Sequence, residues 1–306
     1  MRWIAGIRTI GQGWIPKRSY EKIQSYSHFT ITIRHGDVFI KVNFGGFVSL
    51  STIDWRGRSV CTVFLRGCPL RCSYCQNDTI QTGKDLRDID EITGMIQTSS
   101  PFISGIIFSG GEPTLQKEAL VELAAFARKK GLAVGIQTNG FYPGTLEALF
   151  DKNLVDKIAI DYKTRWEAFP GTWDGYCANE NESYERNVKR SIACCRKAVA
   201  EKKLAEFEVV LTVFYENGKY IKEISDRNPD VPLVLQQGEH KITQLQGAAP
   251  GMTNGEYISI KRNLQEHYTP MTLAEIKKIA DELKRTVRIR TREIGEISYY
   301  KWSNVL

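Results

Sequence analysis

Residues 29–44 (FTITIRHGDVFIKVNF) alternate apolar and polar side chains on both sides of His35-Gly36-Asp37. A period of two around a Gly-Asp turn predicts a β-hairpin. From residue 60 the pattern changes. Short apolar runs at 60–65, 105–108, 132–136, 155–160, 207–215, 231–235 and 287–291 each have strand length. Helical spacing of apolar positions marks 117–130, 143–153, 183–200, 220–227 and 272–285. Leu120, Leu123, Ala124 and Ala127 form one face of the first of these, and Gly131 is placed to end it. Thr272 and Glu275, three apart at the start of the last, have the form of a capping box.

Strand then helix, repeated from residue 60 to 291, predicts an α/β protein with a parallel sheet and right-handed crossovers. The polar segments CPLRCSYC, SGGEPT, QTNG, DYK and QQGE all follow strands, at the sheet edge where α/β folds build their sites. Residues 164–182 (TRWEAFPGTWDGYCANENE) read as a long polar loop, a candidate lid or substrate loop.

Hydrophobic content of 42% and charged content of 25% are ordinary for a soluble globular protein. Neither a run of roughly 20 apolar residues nor a secretory leader is visible, so the expectation is a cytoplasmic protein with no membrane partner. The net charge of +7 is concentrated at the start: residues 1–60 hold nine Lys/Arg and three Asp/Glu, together with Trp3, Trp14 and Trp55. Such a segment suits nucleic acid or an acidic surface, or is a solvated extension packed by its aromatics. Late in the chain Arg288, Arg290 and Arg292 share one strand face, as a phosphate-binding stripe or as the solvent side. The expected organisation is a basic extension with a hairpin over 1–44 and a catalytic core over 45–306.

Seven cysteines are an odd number, and three of them fall in RGCPLRCSYCQND (residues 66–78). Clustering in a reducing compartment points to metal binding or catalysis. Cys61 alternates with Val63 and Leu65 as a core residue, Cys194 and Cys195 sit in a helical pattern, and Cys177 has no ligand-like spacing. A structural zinc site would need a second Cys or His pair, but His28, His35, His240 and His267 are scattered. A redox dithiol would use Cys72 and Cys75 and leave Cys68 idle. A third possibility is a [4Fe–4S] cube in which each thiolate takes one iron and the fourth iron stays open for chemistry.

Cys68-x3-Cys72-x2-Cys75, with Tyr74 before the last cysteine, resembles the cluster motif of radical S-adenosylmethionine (SAM) enzymes. Ser109-Gly110-Gly111-Glu112-Pro113, at the end of the next strand, resembles the glycine-rich motif with which that family binds the amino group of SAM. Residues 42–78 are further similar to the opening of glycyl-radical-enzyme activating proteins, most of all the activators of anaerobic ribonucleoside-triphosphate reductase. The matching features are Gly45-Gly46, Ser51-Thr52-Ile53-Asp54-Trp55-Arg56-Gly57 and Phe64-Leu65-Arg66-Gly67-Cys68. Gln236-Gln237 and Pro270-Met271-Thr272 resemble the later part of the same family.

The resemblance implies a partial (β/α)6-type TIM barrel, a [4Fe–4S] cluster on Cys68, Cys72 and Cys75 with one open iron, and SAM as the second cofactor. It implies that Gly110, Gly111 and Glu112 cradle the amino end of SAM. Thr138, Asn139, Asp161 and Lys163 would contact its ribose and methionine parts, with Tyr74 beside the cluster. An electron from a donor such as flavodoxin or ferredoxin would cleave SAM to a 5′-deoxyadenosyl radical. That radical would take hydrogen from a glycine of a partner glycyl radical enzyme. A radical SAM enzyme modifying a nucleic acid or a small molecule is the alternative. The chain departs from the family pattern at Gln137, where many activators carry an acidic residue, so no cation is assigned beside the SAM carboxylate.

Overall fold

Eleven strands join into one sheet in the computed structural model of the chain, which describes residues 31–34, 37–70, 72, 74–163, 178–215, 218–239 and 269–300. The hairpin consists of β1 (Ile31–Arg34) and β2 (Asp37–Ser51), paired antiparallel with Ile31 opposite Ile40. There follow β3 (Val60–Leu65), the short β4 (Leu86–Asp88) with α1 (Ile89–Ser99), and β5 (Gly105–Gly110) with α2 (Lys117–Lys129). Next come β6 (Ala133–Thr138), α3 (Pro143–Asp151), β7 (Lys157–Asp161) and α4 (Ala178–Ala200). The last part holds β8 (Glu206–Val213), α5 (Gly218–Arg227), β9 (Leu233–Gln237), α6 (Leu273–Glu282), β10 (Val287–Thr291) and β11 (Gly295–Tyr299).

The sheet order is β1-β2-β3-β5-β6-β7-β8-β9-β10-β11, with β4 paired to β2. Neighbours from β3 to β10 are parallel and in sequence order, so each crossover advances one strand and the sheet curls as a partial α/β barrel. β10 extends this parallel run one strand past the six expected, and β11 closes it as an antiparallel hairpin. β2 passes position 44 without interruption and pairs with β3, so the hairpin and the core share a strand. The candidate loop at 164–182 lies outside the described residues as far as 177, and α4 begins at Ala178. Residues 1–30, with their basic and aromatic side chains, also lie outside them.

Alternation along the strands separates two faces. Cys61, Val63, Ile106, Phe108, Val134, Ile136, Ile158, Ile160, Val209 and Leu211 point to the helices and form the main core with Leu120, Leu123, Leu146 and Ile192. Each such side chain contributes roughly 1.5–3 kcal/mol by leaving water. Cys61 and Cys195 are core residues, and burial lifts the Cys61 thiol to about 12, which leaves it an inert thiol. The other face turns into the barrel. Its lower part is filled by Trp55, Val60 and Ile107, its middle by Ala159, Val210 and Val234. Trp55 fits because position 135 is glycine: a Cβ there would stand 3.0 Å from the indole. The upper part is polar. No helix among the described residues is long and apolar enough to cross a membrane.

Candidate active site

The segment after β3 is a loop tied down by its neighbours. Gly67 takes a φ of 99°, which lets its N–H donate to the Ile80 carbonyl at 2.8 Å, and the Cys68 N–H donates to the Gln81 carbonyl at 3.0 Å. The Arg66 guanidinium donates to the carbonyls of Phe44, Thr79 and Thr82, at 3.1, 2.9 and 3.2 Å. Gln116 clamps the loop from α2, its Nε2 donating to the Asn43 and Arg66 carbonyls at 2.9 Å while its Oε1 accepts from the Asn43 N–H. This frame presents Cys68, Cys72 and Cys75 to one cavity.

The end of β5 packs directly on that loop. Gly110 has a φ of 131°, and a side chain there would run into the Leu65 backbone. One at Gly111 would run into the Gly67 backbone. The two segments are joined by hydrogen bonds from the Gly111 N–H to Leu65 and from the Glu112 N–H to Gly67, at 2.9 and 2.8 Å. Asn77 adds a bond from its Nδ2 to the Gly110 carbonyl at 3.0 Å. The need for glycine at 110 and 111 is therefore met within the protein, by close approach of two strand ends.

Glu112 has no exposed surface, and its carboxylate is committed. Oε1 accepts from the Thr114 N–H at 2.9 Å, from the Thr114 hydroxyl and from the Thr138 hydroxyl at 2.7 Å; Oε2 accepts from the Asn139 N–H at 2.7 Å. Burial pushes its carboxyl above the ordinary range against the pull of these four bonds. The side chain thus fastens SGGEPT to QTNG, and only its backbone is left to meet a ligand.

Asn139 sends its Nδ2 to the Cys68 sulfur at 3.6 Å. Across the cavity Lys163 forms an ion pair with Asp161, and its ammonium lies 5.3 Å from the centre of the Tyr74 ring. Burial opposes the charge on Lys163, but Asp161 and Cys72 outweigh it and hold the ammonium above its usual range. Burial likewise lifts the Cys72 thiol, with Lys163 pulling it back toward thiolate. Asp161 keeps one oxygen, Oδ1, buried and without a hydrogen-bond partner.

Every residue that the resemblance assigned to the cluster or to SAM lines this one cavity, of about 230 Å³: the three cysteines, Tyr74, Gly110, Gly111, Glu112, Thr138, Asn139, Asp161 and Lys163. Its far wall holds Asp54, Glu208 and Thr212, to which the sequence reading gave no role, and Arg290 of the arginine stripe, beside Gln236 and Gln237. The structure splits the arginine stripe: Arg292 is exposed just past the end of β10. Arg288 and Arg290 face inward and pair with Glu208 and Glu296, and Arg290 also donates to Gln236 at 3.1 Å. Alternation with Val287 and Ile289 marked their common face, but which face pointed inward depended on strand order.

The donors suit the expected cofactors. Three sulfur ligands are the soft donors that iron–sulfur clusters take. Among the described residues lining the cavity there is no fourth cysteine and no histidine. Among the described residues no three Cys, His, Asp or Glu side chains converge on a single-ion site, so the thiols are not gathered as a zinc tetrahedron requires. The open acceptor of Asp161 fits a ligand that brings an ammonium or hydroxyl group.

A curled parallel sheet with three cysteines and a polar cavity at its carboxyl end defines a cofactor-dependent α/β barrel. The family described as the radical SAM superfamily matches residues 62–227, over half of the chain, and the chain belongs to it. Its cofactors are accordingly a [4Fe–4S] cluster and SAM. The chain is 36% identical over 159 residues to a protein of Methanocaldococcus jannaschii named as a glycyl-radical enzyme activating enzyme, covering 52% of this chain and 65% of that one. It is 34% identical over 123 residues to the pyruvate formate-lyase-activating enzyme of Clostridium pasteurianum, covering 38% and 50%. To the 7-carboxy-7-deazaguanine synthase of Methanospirillum hungatei it is 37% identical over 84 residues, covering 27% and 35%. The matched parts thus span between about a third and two thirds of these curated relatives.

Proposed function

We propose that this chain forms a 5′-deoxyadenosyl radical from SAM and uses it to take a hydrogen atom from a backbone glycine of a partner glycyl radical enzyme. The observation that carries the reading is the convergence of four strand ends on one cavity, together with similarity to proteins named as activating enzymes. The [4Fe–4S] cluster supplies the electron that splits the sulfonium, delivered from a donor such as flavodoxin or ferredoxin. With SAM bound, breaking its S–C5′ bond would leave methionine and the radical, and glycine Cα–H transfer would give 5′-deoxyadenosine and a glycyl radical. Cys68, Cys72 and Cys75 hold the cluster. The backbone of Gly110 to Glu112 meets the SAM amino end, since the Glu112 side chain is occupied. Asp161 Oδ1 and Lys163 take the methionine and ribose side with Thr138 and Asn139. Within this reading the partner is an anaerobic ribonucleoside-triphosphate reductase, whose activators residues 42–78 resemble.

The test mixes the anaerobically reconstituted chain with SAM, a reduced donor and the candidate reductase. A glycyl doublet in the electron spin resonance spectrum, with about one deoxyadenosine per radical, is expected. A second reading, a radical SAM enzyme acting on a small polar molecule, draws on the similarity to the deazaguanine synthase and on the polar far wall of the cavity. Deoxyadenosine released in step with conversion of a small molecule, with no partner protein present, would favour it.

A further inference from the structure

Two segments assigned to SAM above, QTNG after β6 and DYK after β7, run side by side, and one hydroxyl joins them from behind. Tyr184 lies in α4 and is 3% exposed. Its oxygen accepts from the Lys163 backbone N–H at 2.9 Å and donates to the Asn139 carbonyl at 3.2 Å. The ring is fixed by a stack on Phe141, with centroids 6.1 Å apart, and an edge contact with Tyr162 at 6.4 Å. Tyr184 does not line the cavity, yet both residues it holds do. Asn139 reaches the Cys68 sulfur, and Lys163 pairs with Asp161 and covers Tyr74. A second tie from α4, the Ser191 hydroxyl donating to the Gly140 carbonyl at 2.7 Å, docks the helix on the same loop without touching either ligand-facing residue.

We infer that the Tyr184 hydroxyl is the positioning group that sets Asn139 against the cluster sulfur and Lys163 against Asp161, and so fixes SAM relative to the cluster. The inference rests on the functional reading above. One hydroxyl fits the task because it is donor and acceptor at once, satisfying one orphan group on each strand end. Carbon–hydrogen at that place would leave a buried N–H and a buried carbonyl unpaired, and the strand ends would separate to find other partners.

The test compares the reconstituted wild-type chain, Tyr184→Phe and Ser191→Ala by equilibrium dialysis with labelled SAM and by the reduction potential of the cluster. Tyr184→Phe keeps the ring and its stack, and is expected to bind SAM about tenfold more weakly, the equivalent of one lost buried hydrogen bond. Its potential should fall, because hydrogen bonds to cluster sulfurs stabilise the reduced state. Ser191→Ala should lower the unfolding midpoint while leaving affinity and potential unchanged. Affinity of Tyr184→Phe within twofold of wild type, or an equal loss in Ser191→Ala, would overturn the inference. Hydrogen exchange at the Lys163 amide of the wild-type chain is an independent measurement: SAM should slow it, and indifference to SAM would also overturn the inference. A wild-type chain that loads its cluster but binds no SAM overturns the functional reading itself.

Discussion

A glutamate with no exposed surface must find a partner for each oxygen, and Glu112 finds them on two different strand ends. Replacing it by alanine strands the Thr114 and Asn139 N–H groups, so Glu112→Ala should cost about 3 kcal/mol, measured by urea denaturation. The same residue sets a pH dependence. Because burial raises its carboxyl above the ordinary 4.5, the folded chain retains a proton that the unfolded chain has released. Its contribution to stability is therefore lost as pH rises from 4.5 through the raised value. Unfolding free energies for Glu112→Gln, taken at a series of pH values, should lack that downward slope; parallel curves would contradict the assignment. At this scale the sequence was generous with identities and sparing with roles. Resemblance to the family's glycine-rich motif singled out Glu112 and Gly110 as cofactor contacts. Their packing on Leu65, Gly67 and Thr138 follows from strand adjacency, which no local pattern encodes.

Elements with strong local signals were legible, those that exist through pairing were not. The capping box of Thr272 and Glu275 opens α6 as expected, with the Thr272 N–H donating to Glu275 at 2.8 Å and the Glu275 N–H donating back to the Thr272 hydroxyl. Thr272→Ala should lower stability by about 1 kcal/mol, visible as a drop in Tm. α1 carries a capping box at Asp88 and Glu91 and buries Ile92 and Ile96 one turn apart, but Thr93 and Gly94 dilute its helical character. β11 is a half-exposed hairpin partner of β10, and β2 continues past the shift in pairing at Phe44 and Gly46 because β3 is there to pair with it. Such strands take their form from non-local neighbours. Gly110→Ala tests the tightest of these contacts. It should abolish stable cluster incorporation, seen as loss of iron after anaerobic reconstitution, because the Cβ has no room beside Leu65.

Over the whole molecule, the inner face of the barrel carries balanced charge. Lys157, Arg288 and Arg290 face Glu206, Glu208 and Glu296, with Lys157 at 3.6 Å from Glu208 and Arg290 at 2.7 Å from Glu296. The Trp55 indole donates to Glu206 at 3.1 Å from the far side of the barrel, and Arg56 reaches Glu296 at 3.7 Å. These contacts tie β7, β8, β10 and β11 to the turn after β2, with Glu208 and Arg290 lining the far wall of the cavity. Removing Glu208, whose side chain is 5% exposed, leaves three cations with only Glu206 and Glu296 to balance them. Glu208→Ala should therefore cost about 3 kcal/mol, less than for a fully buried network because the arginines are about a third exposed. Strand order turned Arg288 and Arg290 inward, onto the acidic side chains of β8 and β11. The central claim is that Cys68, Cys72 and Cys75 hold a [4Fe–4S] cluster with one iron left for SAM. It is tested most directly by the electron spin resonance spectrum of the reduced, anaerobically reconstituted chain, recorded with and without SAM. The account expects a cluster signal whose g-values move when SAM is added, and which is lost on substituting any of the three cysteines; a spectrum indifferent to SAM would contradict it.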